Sequence, residues 1–327
     1  MNKALEKKFT ICIILFFVSL FGVSCSAPQV IPQDEPSEQD TIVIGVSVQD
    51  RSNEFITLLC RTMQERADQS DNIKLIIEDG EAKASRQYIQ VEKFIAQGVN
   101  AIILNPTDGE YLVSAVEDAI KEGIPVITLS SDLNIQVGQT YCGSPNITGG
   151  ELIAKYVCDR LGGKGNIAIL KGPLNHYATI KRYTGILNVL KGYPEIRTVF
   201  CESGNWQREQ GMYLMQTWLS TDAHIDAVIS ENDAMMLGAL AAIEDAGRSD
   251  EIITVGLDAI DEALSAIKDG KLDATCFQDS IGQANAAIDL AVKAANGEEI
   301  DNFIIPFEFV TKQNADDYVD RVRKLKE

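Results

Sequence analysis

Histidine is scarce in this 327-residue chain, which has two, His176 and His224. There is no GxSxG elbow, no GxxxxGK[ST] phosphate loop and no GxGxxG dinucleotide turn. The usual constellations for hydrolysis, phosphoryl transfer and hydride transfer are therefore missing. The one glycine-rich stretch, LGGKGN, precedes a strand-like run, which is the wrong side for a helix N-terminus to hold phosphate. No two of the seven cysteines stand at CxxC spacing. Setting Cys12 and Cys25 aside leaves Cys60, Cys142, Cys158, Cys201 and Cys276, an odd set that forms neither a disulfide framework nor a zinc site. They are expected to be small core residues. Basic residues are outnumbered, 29 against 48 acids, for a net charge of −19. The first 24 residues hold three lysines and one glutamate, so without them the charge is −21. That balance excludes nucleic acid and anionic lipid as electrostatic partners, and it is silent on a neutral solute. No cofactor, metal or catalytic residue is called for.

Long apolar runs are absent except at the start. Lys3, Lys7 and Lys8 precede FTICIILFFVSLFGV, a basic start followed by an apolar stretch of signal-peptide length. It is too short and wrongly flanked for a membrane span. Gly22-Val23-Ser24-Cys25 follows and resembles a bacterial lipoprotein cleavage site, with Gly22 where that pattern usually has Leu. The resemblance implies that Cys25 is lipidated and becomes the mature N-terminus. SAPQVIPQDEPSEQD then carries three prolines among acidic and polar residues, a composition suited to a tether. Residues 1–24 are accordingly read as a signal peptide and 25–40 as a flexible tether, which places the remainder outside the membrane.

From residue 41 short β-branched runs alternate with segments of helical period: TIVIGVSV then EFITLLCRTMQERADQ, IKLIIED then SRQYIQVEKFIAQG. NAIILNP, PVITLS, NIAILKG, DAVISEN, EIITVGLD and LDATCFQD continue the style. Apolar strands separated by helices predict βαβ units and a parallel sheet covered on both faces. Gly98, Gly123 and Gly247 stand where helices end. There are too many strands for one comfortable sheet. The predicted fold class is α/β with two doubly wound parallel-sheet lobes, and the cleft between them is the default ligand site.

Polar residues gather at the C-terminal ends of these strands: Gln49 to Glu54, Asn105 to Asp108, Ser130 to Asp132, Leu174 to Tyr177, Asn205 and Trp206, Asn232 and Asp233, Asp258, Gln278 and Asp279. Amides, carboxylates and hydroxyls with Phe55, Tyr177 and Trp206 nearby suit a polyhydroxylated solute. Directional bonds grip vicinal hydroxyls while flat rings cover C–H faces. Blander roles compete at several positions. Asp233 is expected to cap the helix it opens, Asn105-Pro106 reads as a turn, and Met235, Met236 and Trp218 read as core.

NPTDGEYLVSAVEDAIKEGIPVITL, NDAMMLGALAAIEDAGRSDEIITVGLDA and AIKDGKLDATCFQD resemble the ribose-type family of bacterial periplasmic sugar-binding proteins, from about residue 41 to about residue 312. LGGKG, NWQREQGMYLMQTWL, FQD and IPFEFVT resemble its myo-inositol-binding branch. The resemblance implies a periplasmic binding protein fold of type I with a hinge. Its ligand positions fall on Asn53 and Phe55 after the first strand, on Trp206, Asn232 and Asp258 in the second lobe, and on Gln278 at the crossing. On this reading Asn232 faces the solute while Asp233 caps the helix. Ser130 and Ser131 stand where relatives have Asp or Asn followed by Arg. Ile180 stands where they offer a second arginine, with Lys181 and Arg182 adjacent, and Tyr177 and His176 are the substitutes at hand.

Lobe 1 is expected over 41–144 and 279–306, and lobe 2 over 145–278 and 307–327. The hinge is expected near Gly143–Asn146, Gln278–Ser280 and Pro306–Glu308. The implied function is a monomeric solute-binding lipoprotein, on the outer face of the bacterial membrane or in the periplasm. It would capture a sugar or cyclitol and deliver it to the permease of an ABC importer. The alternative partner is a receptor kinase or chemoreceptor reading the bound state. An export signal, the acidic balance and the absence of an N-terminal helix-turn-helix set aside a transcription regulator.

Overall fold

Residues 42–48, IVIGVSV, form a strand buried almost throughout, as an apolar β-branched run does when helices cover both faces of its sheet. It opens a regular alternation. In a computed structural model, which describes residues 41–324, the first part runs β1 (Ile42–Val48), α1 (Glu54–Ala67), β2 (Ile73–Asp79), α2 (Ala84–Gln97), β3 (Ala101–Leu104), α3 (Val113–Lys121), β4 (Val126–Leu129) and β5 (Thr140–Gly143). The middle runs α4 (Asn146–Arg160), β6 (Lys164–Lys171), α5 (Tyr177–Leu190), β7 (Glu195–Ser203), α6 (Arg208–Leu219), β8 (Ala227–Ser230), α7 (Asp233–Asp245), β9 (Ile253–Val255), α8 (Asp261–Asp269) and β10 (Ala274–Phe277). It closes with α9 (Ser280–Ala295), β11 (Phe303–Ile304), β12 (Glu308–Thr311) and α10 (Ala315–Lys324). The apolar N-terminal run, Cys25 and the tether lie outside the described residues.

Two six-stranded sheets result. One has the order β11-β5-β4-β3-β1-β2 and the other β12-β10-β9-β8-β6-β7. Both repeat one winding: the chain starts near an edge, steps outward once, then returns and proceeds across the sheet. All pairings are parallel except that of β12 with β10. The chain passes between the sheets between Gly143 and Asn146, between Phe277 and Ser280, and between Ile304 and Glu308. Apolar clusters cover both faces of each sheet. Phe94 and Leu112 lie on one face of the first and Met63 and Ile288 on the other, with Trp218 and Met235 opposed to Ile153 and Ile186 on the second. Met235, Met236 and Trp218 are core as expected, and the five cysteines within the described residues are unpaired, four of them buried.

In a doubly wound sheet the ligand crevice opens where the strand order reverses, at the C-terminal ends of the strands on either side. Here those points lie between β1 and β3 in one sheet and between β6 and β8 in the other. The segments that leave these four strands carry Gln49 and Asn53, Asn105, His176, and Asn232. The topology therefore brings four strand ends, two from each lobe, to one place.

Candidate functional site

A small polar cavity lies between the lobes. Gln49, Asn53, Phe55, Asn105 and Ser130 line it from the first, and His176, Arg182, Trp206, Asn232 and Asp258 from the second. Gln278 lines it from the crossing after β10. Of the nine residues singled out from sequence as ligand contacts, seven are thus brought together. Ser131 and Tyr177 are not among the lining residues. Ser131 is buried with its hydroxyl unpartnered. Tyr177 turns one helical step away from His176; its ring stands 6.3 Å from that of Tyr141 and under the Lys181 ammonium.

Three of the lining residues are N-caps. The Asn53 amide oxygen accepts from Ile56 N–H at 3.2 Å, the Asn232 oxygen accepts from Met235 N–H at 3.0 Å, and His176 Nδ1 accepts from Ala178 N–H at 3.2 Å. Capping and facing the cavity prove compatible. An amide has two ends: committing the oxygen to the helix leaves the nitrogen to donate elsewhere, and Asn232 Nδ2 gives one of its two hydrogens to the Trp206 carbonyl at 3.3 Å. This corrects the expected division of labour between Asn232 and Asp233. Asn232 is itself the cap, and Asp233 is the first helical residue, fully buried on the far side. Asp233 Oδ1 accepts from Thr275 Oγ1 at 2.7 Å and its Oδ2 from Ile260 N–H at 3.1 Å, tying β10 and the β9–α8 loop to α7. Burial pushes its carboxyl up to about 6, against those bonds and the charge of Arg182.

Arg182, rather than the position of Ile180, supplies the arginine expected on α5. Ile180 is 39% exposed, whereas Arg182 is 4% exposed. Ala178, Arg182, Gly185 and Ile186 share the face that α5 packs inward. That face is pressed onto α4 by two glycines. A Cβ on Gly150 would stand 1.9 Å from the Arg182 carbonyl oxygen, and one on Gly185 2.1 Å from that of Ile147. The close approach sets Arg182 Nε 2.9 Å from Asn146 Oδ1. Its Nη1 donates to the Glu231 carbonyl and its Nη2 to Gln278 Oε1 at 2.8 Å. Gln278 Nε2 donates in turn to Ser130 Oγ of the first lobe at 2.9 Å. Asp258 Oδ1 is 3.8 Å from Nη1. Burial holds the Asp258 carboxyl well above the ordinary carboxylate range even so, with Arg182 opposing and Asp233 adding to the rise.

Trp206 closes one wall with 8% of its surface exposed, and its indole Nε1 has no protein partner. Its ring stands edge-on to His176, centroids 5.5 Å apart, and carries the Arg182 guanidinium 5.6 Å from its centre. The indole fits only because residue 172 is glycine: a Cβ there would lie 2.1 Å from its Cζ2. Ser130, Asn205, Trp206 and Asp258 all have positive φ, from 53° to 133°. Such backbone strain concentrates at ligand sites, where the surrounding structure holds it. Behind this wall Glu231 is fully buried. Its Oε2 accepts from Gly172 N–H at 2.9 Å, its Oε1 has no partner, and burial raises the acid to about 8.

Gln49 and Asn105 stood among the strand-end residues without being singled out as contacts, and Arg182 was noted only as a neighbour of Ile180. Gln49 follows β1 by one residue, and Asn105 Oδ1 accepts from its backbone N–H at 3.2 Å. The helical period through Ala178, Arg182 and Ile186 was the signal that would have set the α5 register. Among the described residues no cluster of three or more His, Cys, Asp or Glu could hold a metal ion, and no helix is long and apolar enough to cross a membrane.

Two doubly wound lobes, three crossings between them and a polar cavity at paired switch points define a periplasmic binding protein of type I fold. The chain belongs to the family of the periplasmic binding protein domain, whose model matches residues 44–299. A Rhizobium meliloti protein provisionally named for rhizopine binding is 38% identical over 286 residues, 84% of this chain and 92% of the relative. The ribose import binding protein of Bacillus subtilis is 31% identical over 92% of this chain and 97% of its own length. An ABC transporter solute-binding protein from Bacillus halodurans, solved with bound myo-inositol, is 37% identical with a TM-score of 0.84, covering 87% of this chain and 99% of that one.

Proposed function

We propose that this protein captures a neutral sugar or cyclitol, of myo-inositol or monosaccharide type, between its lobes and delivers it to an ABC importer. The observation that carries the reading is the lining of the cavity. The amides of two helix caps, an unpartnered indole N–H and the buried Arg182–Asp258 pair converge from both lobes. Asp258, the one acidic residue in the lining, is held toward its neutral form by burial beside Arg182, so the lining offers no anion to grip a cationic solute. Directional donors and acceptors reject a misplaced hydroxyl because it leaves a buried polar group unpaired. The relatives that bind ribose or myo-inositol support the same class.

Asn53, Phe55, Trp206, Asn232, Asp258, Gln278 and Ser130 are the proposed contacts, with Arg182 and Gln49 added. The solute joins the lobes, and closure around it creates the form that the membrane partner reads. Export by residues 1–24 and lipidation at Cys25 would hold the protein at the outer face of the membrane.

Calorimetric titration tests the solute class. The purified protein, stripped of bound solute by unfolding and refolding, is titrated with myo-inositol, ribose, galactose and xylose. Binding of one of them at micromolar affinity or tighter is expected, and Trp206→Ala should weaken it. Silence across the panel from a folded protein would overturn the class. Cys25→Ala should release the protein from the membrane fraction; persistent association would sink the lipid anchor.

A further inference from the structure

His176 and Gln49, 127 residues apart, meet across the cleft with Nε2 and Oε1 at 2.7 Å. Both line the cavity. Their atoms leave no freedom in how the bond is made. The Ala178 backbone N–H can only donate, so His176 Nδ1 must accept, and the ring's proton is therefore on Nε2. An Nε2–H requires an acceptor, which orients the Gln49 carboxamide with its oxygen toward His176. The Gln49 NH₂ group, which has no protein partner among the described residues, is then what this corner of the cavity presents.

We propose that His176 is a specificity-determining positioning residue: by clasping Gln49 across the cleft it fixes a pair of N–H donors in the cavity, so the solute must bring an acceptor oxygen to that corner. The inference rests on the solute-binding reading above and narrows it. A hydroxyl, ether or carbonyl oxygen fits there. A methylene leaves the buried donors unpaired, and a protonated amine meets donors with donors. The same bond joins a first-lobe strand end to a second-lobe helix start, so the corner is complete only when the lobes are together.

The surroundings keep the ring in the neutral form that the clasp needs. His176 is 3% exposed and its proton affinity is held far below the ordinary imidazole value, at about 3, by burial first and then by the charge of Arg182 on its own helix. Asp108, from the loop after β3, acts in the opposite sense and does not prevail. Trp206 packs edge-on against the ring and Ala178 N–H occupies Nδ1.

The test combines nitrogen-15 NMR of the imidazole with titration of myo-inositol into wild type, Gln49→Leu, His176→Phe and the double variant. The Phe ring keeps the packing on Trp206 while removing the bond. In wild type, His176 should show the Nε2–H tautomer and should not titrate between pH 5 and 8; in Gln49→Leu, which removes the acceptor of that proton, the Nε2 resonance should move off its hydrogen-bonded position. Each single variant should bind myo-inositol about tenfold more weakly, the worth of one neutral hydrogen bond. The double variant should be no weaker than the worse single one. An Nδ1–H ring, a wild-type ring that titrates in this range, or losses that multiply in the double variant would overturn the clasp. Should wild type ignore myo-inositol, the imidazole spectra still decide. A ring that responds to Gln49→Leu keeps the clasp while the solute class falls, and a ring indifferent to that substitution sinks it.

Discussion

Arg182 Nη2 and Gln278 Oε1 stand 2.8 Å apart, and through this bond an arginine of the second lobe reaches the first, because Gln278 passes the contact to Ser130 Oγ at 2.9 Å. The guanidinium satisfies Asn146, the Glu231 carbonyl and Gln278 with three separate nitrogens. A lysine offers one point charge and cannot do this. Arg182→Lys should therefore lose solute affinity by roughly 100-fold, the worth of about two charge-assisted hydrogen bonds. Arg182→Ala should go further and destabilise the fold by about 3–5 kcal/mol, since it leaves the buried oxygens of Asn146, Glu231 and Gln278 without their donor. Denaturant titration separates the two, and an Arg182→Lys protein with unchanged affinity would remove the guanidinium from recognition.

Gly150 decides where Arg182 sits. A methyl there would collide with the Arg182 carbonyl, which is backbone and cannot swing aside. Gly150→Ala should force α5 off α4, cost about 1–3 kcal/mol as an overpacked contact, and weaken binding although the residue touches no solute. Equal stability and affinity in the variant would show that the two helices yield.

Asn232 separates capping from recognition. Aspartate caps as well as asparagine but lacks the amide N–H donors. Asn232→Asp, which keeps the cap but also gives up the Nδ2 bond to the Trp206 carbonyl, should melt a few degrees below wild type and bind solute poorly. Asn232→Ala should lose about 1 kcal/mol as well, the usual worth of a cap. If the Asp variant binds normally, the Nδ2 group plays no part.

Glu231 should make stability fall with rising pH. Its acid is raised from 4.5 to about 8, so the folded state favours the protonated carboxyl. That contribution is complete below about pH 4.5 and is lost as pH climbs through 8, at up to about 1.4 kcal/mol per pH unit within the window. Glu231→Gln, which keeps the acceptor for Gly172 N–H, should match wild type at pH 5 and exceed it increasingly toward pH 9 in thermal melts. Parallel melting curves at all pH values would show that the carboxyl titrates normally.

The sheet architecture was readable because β1, β3, β4, β8 and β10 are short, nearly all-apolar runs bounded by helix punctuation, and a run of that kind has one use in a fold covered on both faces. β5, β11 and β12 were not read as strands. TYCG and EFVT mix polar with apolar residues and Phe303–Ile304 is only two residues long, so none presents the continuous apolar run that marked the others. At the site, strand ends narrowed the search to short stretches, and the family resemblance picked out of them Asn53, Ser130, Trp206, Asn232, Asp258 and Gln278, all of which line the cavity. Chain position failed where a choice between adjacent residues depended on rotation. Tyr177 and His176 differ by about 100° around α5, as do Asn232 and Asp233 at the start of α7.

By itself the amino-acid sequence determined the alternation of strand and helix, the doubling of the fold, and the strand ends at which polar side chains would collect. These follow from local periodicity and from where a helix can begin. Only the tertiary structure decided which neighbour at each strand end faces the cavity. It also decided that Arg182 rather than Ile180 serves α5, and that His176 meets Gln49. Those outcomes depend on how closely α4 and α5 approach and on where one lobe stands against the other. Both are set by contacts between residues far apart in the chain, and no local pattern encodes them.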